Sequence, residues 1–206
     1  METGSGPVGP VPAGTDPDEY DRRRRRVLWA LPTGLFVVGS RAGEARNLMT
    51  ANWVVQIATS PKLVAVAVES GSVTRDLIDR GGSFSVSLLA RSERSLVRRF
   101  VRPARDVVTD GDGVATSIQG EPVFEVGDGL PCLRASVAWL ACSVRSVATW
   151  DGLVDGPVAE SGAGSGASHV LMVGEVVDAG ETARLGAAGD DDAILTMTDT
   201  RMNYGG

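Results

Sequence analysis

The chain has 206 residues, 43% of them apolar, enough for one domain with a substantial core. Its net charge of −6 and pI near 4.9 leave no positive field for nucleic acid or an anionic membrane. It holds neither a membrane-length apolar run of about 18 residues nor the apolar centre of a secretion signal, so a cytoplasmic protein is expected.

Residues 1–19 are dense in glycine and proline and poor in large apolar side chains. They predict a disordered tail ahead of a single domain over 20–206. The run 20-YDRRRRRVLWALP-32 reads as a short helix with a solvated arginine face, phosphate binding being the competing reading. From Gly34 the pattern turns to β: 35–40, 51–59 and 62–69 are rich in valine, isoleucine and aromatics and predict three strands. Val73, Leu77 and Ile78 fall at helical spacing over 73–81, and a glycine pair follows as a C-cap. Strict alternation over 83–89 predicts a strand, and 92–100 a short helix with Ser92 as its N-cap.

Residues 103–129 look irregular, with weak strand signals near Val107 and Val123. The segment 132–150 is a strand too long to stay flat, so it bends or winds around a barrel. A glycine and serine loop over 151–168 precedes strands at 169–180 and 193–199. So many strands with so few helices indicate an antiparallel barrel or sandwich, not a doubly wound sheet.

Cys132 and Cys142 on one straight strand would lie about 30 Å apart, so no disulfide is expected between them. One histidine and no Cys-x-x-Cys pair argue against zinc and any other metal site. The glycines of 161-SGAGSGA-167 lack the strand-to-helix setting of a dinucleotide fingerprint, and neither a Walker sequence nor a G-x-S-x-G elbow occurs. What remains is neutral. Thr50 and Asn52 in the polar turn 47-NLMTANW-53 offer the donors that a redox-active heterocycle such as a flavin ring needs, or form a turn that satisfies itself. Ser72 and Thr74, with Arg75, stand where a helix begins and suit a phosphate monoester, or Ser72 is simply that helix's N-cap.

Taken in order, 33-TGLFVVGS-40, 49-MTANW-53, 59-TSPKLVAVAV-68, 72-SVT-74, 82-GSFSVSLL-89, 96-LVRRF-100, 130-LPCLRASVAWLACSV-144 and 169-HVLMVGEV-176 resemble the flavin-reductase-like family of FMN-binding split β-barrels. The likeness covers about residues 30–178, with a further match at 201-RMNYGG-206. It implies a mainly β split barrel with a few flanking helices, assembled as a homodimer whose flavin sites border the interface. It also implies an NAD(P)H:flavin reductase, passing hydride from NADH or NADPH to FMN, or FAD, for a partner monooxygenase or a bound acceptor.

By the same resemblance Met49, Thr50, Ala51, Asn52 and Trp53 meet the flavin ring, and Ser72, Thr74 and Arg75 its phosphate. His169 then lies near the face where nicotinamide or substrate stacks, and a solvent-facing strand-edge histidine is the alternative. Trp53 stands where the family often has serine or threonine, Ala58 replaces a serine before the proline turn, and Ala167 and Ser168 replace a Gly-Asp pair. Two other functions stay open: a tightly held FMN acting directly on an organic substrate, favoured by Trp53 as a pocket wall, and a non-catalytic flavin-binding module.

Overall fold

The computed structural model describes residues 11–149, 168–185 and 193–200. Eleven strands and two α-helices follow in order: α1 (Pro17–Trp29), β1 (Phe36–Ala42), β2 (Ala45–Ala51), β3 (Val54–Thr59), β4 (Lys62–Glu69), α2 (Val73–Gly81), β5 (Ser83–Leu88), β6 (Val107–Thr109), β7 (Ala115–Ile118), β8 (Glu121–Val126), β9 (Leu130–Leu133), β10 (Ala138–Ala148) and β11 (His169–Glu181). Among the described residues no helix is long and apolar enough to cross a membrane.

Seven strands form one antiparallel sheet in the order β2-β1-β5-β10-β11-β4-β3, and β6-β7-β8-β9 form a second. The larger sheet curls. Ala51 of β2 and Val64, Val66 and Val68 of β4 stand far apart in the strand order yet share one buried cluster with Phe84, Val86, Cys142 and Met172. The opposite face buries Val37, Leu48, Leu89 and Leu133 against Ile118 and Val123 of the smaller sheet and Leu96, Val97 and Phe100 of a 3-10 turn. Neighbours Val37 and Val38 serve different clusters because successive strand side chains point to opposite faces. This curled, unclosed sheet with a second sheet against it is the expected split barrel.

Several local expectations are corrected. α1 begins at Pro17 with Asp16 as its cap, so the tail boundary at residue 19 falls inside a helix; residues 1–10 lie outside the described residues. The arginine face is as expected: Arg23 pairs with Glu19, Arg24 and Arg25 pair with Asp21, and nothing in α1 is buried. The polar turn 47–53 is mostly strand, β2 running through Ala51 before a two-residue break at Asn52 and Trp53. The irregular 103–129 segment holds three strands. β7 and β8 are joined by Gln119 and Gly120, both at positive φ (55° and 75°), the two-residue turn whose twist suits a hairpin.

The expected helix at 92–100 is two 3-10 turns, Arg91–Glu93 and Leu96–Phe100, without a side-chain cap. Ser92 instead accepts a hydrogen bond from Arg184. The long strand breaks into β9 and β10. Cys132 and Cys142 are both free and buried, for a different reason than a straight 30 Å separation. Cys132 faces Ser85 and Ser87, whereas Cys142 is paired in register with Phe84 and packs with it. Alternate residues of β5 thus hold the two thiols to opposite faces. Burial pushes the Cys132 thiol up and the Cys142 thiol up to about 12, so neither is a thiolate nucleophile near neutral pH.

The expected strand at 193–199 is also corrected. Ile194 and Thr196 make single bridges to Ala90 and Gly34, and Met197–Asp199 is a 3-10 turn in which Thr196 and Asp199 form a capping box. Asp199 Oδ2 accepts from Thr196 N and Thr196 Oγ1, both at 2.8 Å, and Oδ1 lies 2.8 Å from Arg91 Nε. Burial would raise its pKa, but these hydrogen bonds and the arginine together hold it below the usual carboxylate range. A lowered folded pKa contributes stability that is present above the unfolded value, near 3.9, and is lost as pH falls through the folded one. Asp199→Asn is therefore expected to cost about 1–2 kcal/mol at pH 7. In denaturant melts the gap from the unaltered protein should shrink below about pH 4; a gap of the same size at pH 3 would contradict this account.

Candidate functional site

Strand pairing gathers the polar features found in the sequence at one end of the large sheet. His169 at the start of β11 pairs with Glu69 at the end of β4, three residues before Ser72 and the start of α2. β3 starts at the same end: Val54 pairs with Val66, and the Trp53 carbonyl accepts from Ala67 N at 3.0 Å. Antiparallel pairing thus brings together 52–53, 69–75 and 168–169, which are far apart in the chain.

A cavity of about 340 Å³ opens beside Asn52 and Trp53, its other walls being Leu28, Trp29, Leu31, Thr33 and Met197. The walls are mainly apolar. Asn52 is only 8% exposed, and among the described residues its amide has no hydrogen-bond partner. The amide faces the cavity, where its donor and acceptor are open to a ligand with polar atoms on its edge. Trp53 lines the cavity and also meets His169 edge-on, ring centroids 4.9 Å apart at 73°. The Ser168 hydroxyl lies 2.9 Å from His169 Nδ1, the donor being set by the tautomer, and the other ring nitrogen has no partner among the described residues.

The remaining candidates divide. Ala51 is buried and Met49 partly buried in the core cluster within the curled sheet, so neither lines the cavity. Thr50 is 1% exposed and donates to the Val97 carbonyl at 2.5 Å on the far face. Ser72 caps α2, accepting from Arg75 N at 3.1 Å. Thr74 turns inward, 1% exposed, and accepts from Asn47 Nδ2 at 2.9 Å. Arg75 pairs with Asp79 one turn along. Of the three residues assigned to phosphate, Ser72 keeps a half-buried hydroxyl at the helix start, beside backbone N–H groups that no helical carbonyl uses.

Five cavity residues escaped sequence reasoning. Leu28, Trp29 and Leu31 carried a signal, an apolar run after five arginines with no core to enter. Met197 carried none, since it is brought there by long-range pairing with residues 33–35, its own N bonding the Thr33 carbonyl at 3.1 Å. The glycine loop before Ser168 and the match at 201–206 lie outside the described residues.

The family model described as the flavin reductase like domain matches residues 28–205. The NADH-dependent flavin reductase StyB of Pseudomonas fluorescens is 31% identical over 123 residues, 59% of this chain and 65% of that protein, so the match spans just under two-thirds of the relative. The NADH-dependent FAD reductase of Streptomyces globisporus is 28% identical over 163 residues, 79% of this chain and 78% of the relative. Among solved structures, the styrene monooxygenase flavin reductase of Pseudomonas putida S12 superposes with a TM-score of 0.56 at 25% identity, covering 76% of this chain and 86% of that one.

Proposed function

Because this chain belongs to the flavin reductase like domain family, we propose that it is an NAD(P)H-dependent flavin oxidoreductase, serving a partner monooxygenase or another acceptor. The observation that carries this reading is the Asn52 amide, without a partner among the described residues, at the wall of an apolar cavity next to Trp53 and His169. It fits the polar edge and apolar body of an isoalloxazine. A flavin, FMN or FAD, supplies the capacity to take up and hand on hydride.

The chain's own part is position and electrostatics. Asn52 hydrogen-bonds the ring edge. Trp53, Leu28 and Met197 keep water from it. Ser72 and the free N–H groups at the start of α2 receive the phosphate, aided by the positive end of the helix dipole. His169, its ring fixed by Trp53 and Ser168, presents its free nitrogen to the nicotinamide. Val55 and Ile57 are 58% and 50% exposed on β3 at the edge of the sheet beside Trp53, which favours a homodimer that covers this edge.

The relatives named for NADH favour it as reductant. The indoles lining the cavity favour a second reading, in which FMN stays bound and serves an organic substrate directly. The test is the visible spectrum of the purified protein with FMN, then with NADH under anaerobic conditions. Flavin bands that shift on binding and bleach with NADH are expected, and His169→Ala should slow the bleaching at least tenfold while changing flavin affinity less than threefold, an expected order of magnitude for a group acting on the reductant. Binding without bleaching under any reductant would leave a flavin-binding module. Fast bleaching in His169→Ala would return that residue to a strand-edge role.

A further inference from the structure

We propose that the last turn of α1, through Trp29, closes the flavin ring's cavity and sets how long flavin stays bound. The inference rests on the flavin reading above. It starts from a mismatch in α1. The helix buries no residue, yet its end carries Val27, Leu28 and Leu31 at 66%, 58% and 61% exposure and Trp29 at 36%. An apolar quartet that serves no core leaves surface in water at about 25 cal/mol per Å². Leu28, Trp29 and Leu31 are also three of the seven cavity walls, and Asn52, whose amide has no partner among the described residues, stands among the other four. The unburied apolar turn and the open amide thus offer complementary surfaces to one ligand. A planar ring with polar edge atoms covers both, accepting or donating at Asn52 and contacting the turn with its apolar body.

Trp29 and Trp53 come from separate elements and line the same cavity, so a flat tricyclic ring meets two indoles. Most of α1 precedes the residues that match the family model. Among the described residues, Arg24 pairs with Asp21 at 2.6 Å and Arg25 with Asp21 at 3.1 Å, both inside α1. The last turn stands outside the buried clusters, none of which includes a residue of α1, so altering it leaves them in place.

The test is titration of Trp29→Ala and Trp29→Phe with FMN and with riboflavin, together with the rate of flavin release after dilution. Trp29→Ala is expected to weaken FMN and riboflavin by the same factor, about tenfold, the scale of one aromatic contact, and to speed release in proportion. Trp29→Phe should restore most of both. Ser72→Ala, as the contrast, should weaken FMN and spare riboflavin. Three results would overturn the proposal. If the unaltered protein binds flavin and Trp29→Ala matches it in affinity and release, α1 does not close the site and the flavin reading stands. If Trp29→Ala weakens FMN alone, the residue acts on the phosphate end. If the unaltered protein binds neither flavin, the flavin reading falls and this inference with it.

Discussion

Asn52→Leu is expected to weaken flavin binding by roughly 10- to 100-fold, the worth of one or two hydrogen bonds to the ring, while leaving the stability of the empty protein within about 1 kcal/mol of the unaltered one. The two effects part because the amide has no partner within the described residues and faces the cavity. Leucine removes the polar group without orphaning another and adds apolar surface to a mainly apolar cavity. A purely structural asparagine behaves in the reverse way, losing stability when replaced. Thermal melts without flavin and titrations with it separate these cases, and a destabilised variant of unchanged affinity would remove Asn52 from the site.

Gly39→Ala is expected to cost the fold about 3 kcal/mol, a fall of roughly 6–12 °C in Tm for a chain of this size. Gly39 lies in β1 between Leu48 and Ser85, where β9 crosses. A methyl group there would sit 2.1 Å from the Pro131 carbonyl oxygen and 2.3 Å from Ser85 Oγ. Both are already committed, Ser85 Oγ donating to that carbonyl at 2.6 Å. A backbone oxygen cannot swing aside as a side chain can, so β9 must lift from the sheet and take Cys132 and Leu133 with it. Gly71→Ala, with open space around its added carbon, serves as the control and should melt within a degree or two of the unaltered protein. Equal melting of the two variants would refute the crossing argument.

The parts of the fold that were legible are those whose cause is local. α2 was readable because Leu77 and Ile78 mark its buried face and Gly82 ends it at φ 69°, although Val73, counted with them, is 43% exposed and Thr74 takes the inward place. Strict alternation marked β5. β7 was missed, and β8 showed only as a weak signal near Val123, because their turn uses Gln119, a residue that rarely takes positive φ, and β7 is too short to show a period. The break between β9 and β10 is set by packing against β5 on two faces, which no local pattern records.

The site was legible in the same uneven way. Asn52, Trp53 and His169 were found through the order of motifs along the chain, and the pairing of β3, β4 and β11 brings them to one end. Thr50 and Thr74 have the right chemistry for a ligand, but their hydroxyls point inward to Val97 and Asn47. A sequence names a hydroxyl; the direction it points depends on which face its strand or helix turns to the core.

The cavity takes walls from both extremities of the described chain, Leu28 to Thr33 near one end and Met197 near the other, joined by the bonds Leu35 N to Leu195 O and Met197 N to Thr33 O. Displacing either segment therefore moves walls that the other helps to hold, so a probe of the cavity is best kept off both. The turn at Asp110–Gly113, exposed between β6 and β7 of the smaller sheet, is the better anchor for immobilising or labelling this protein.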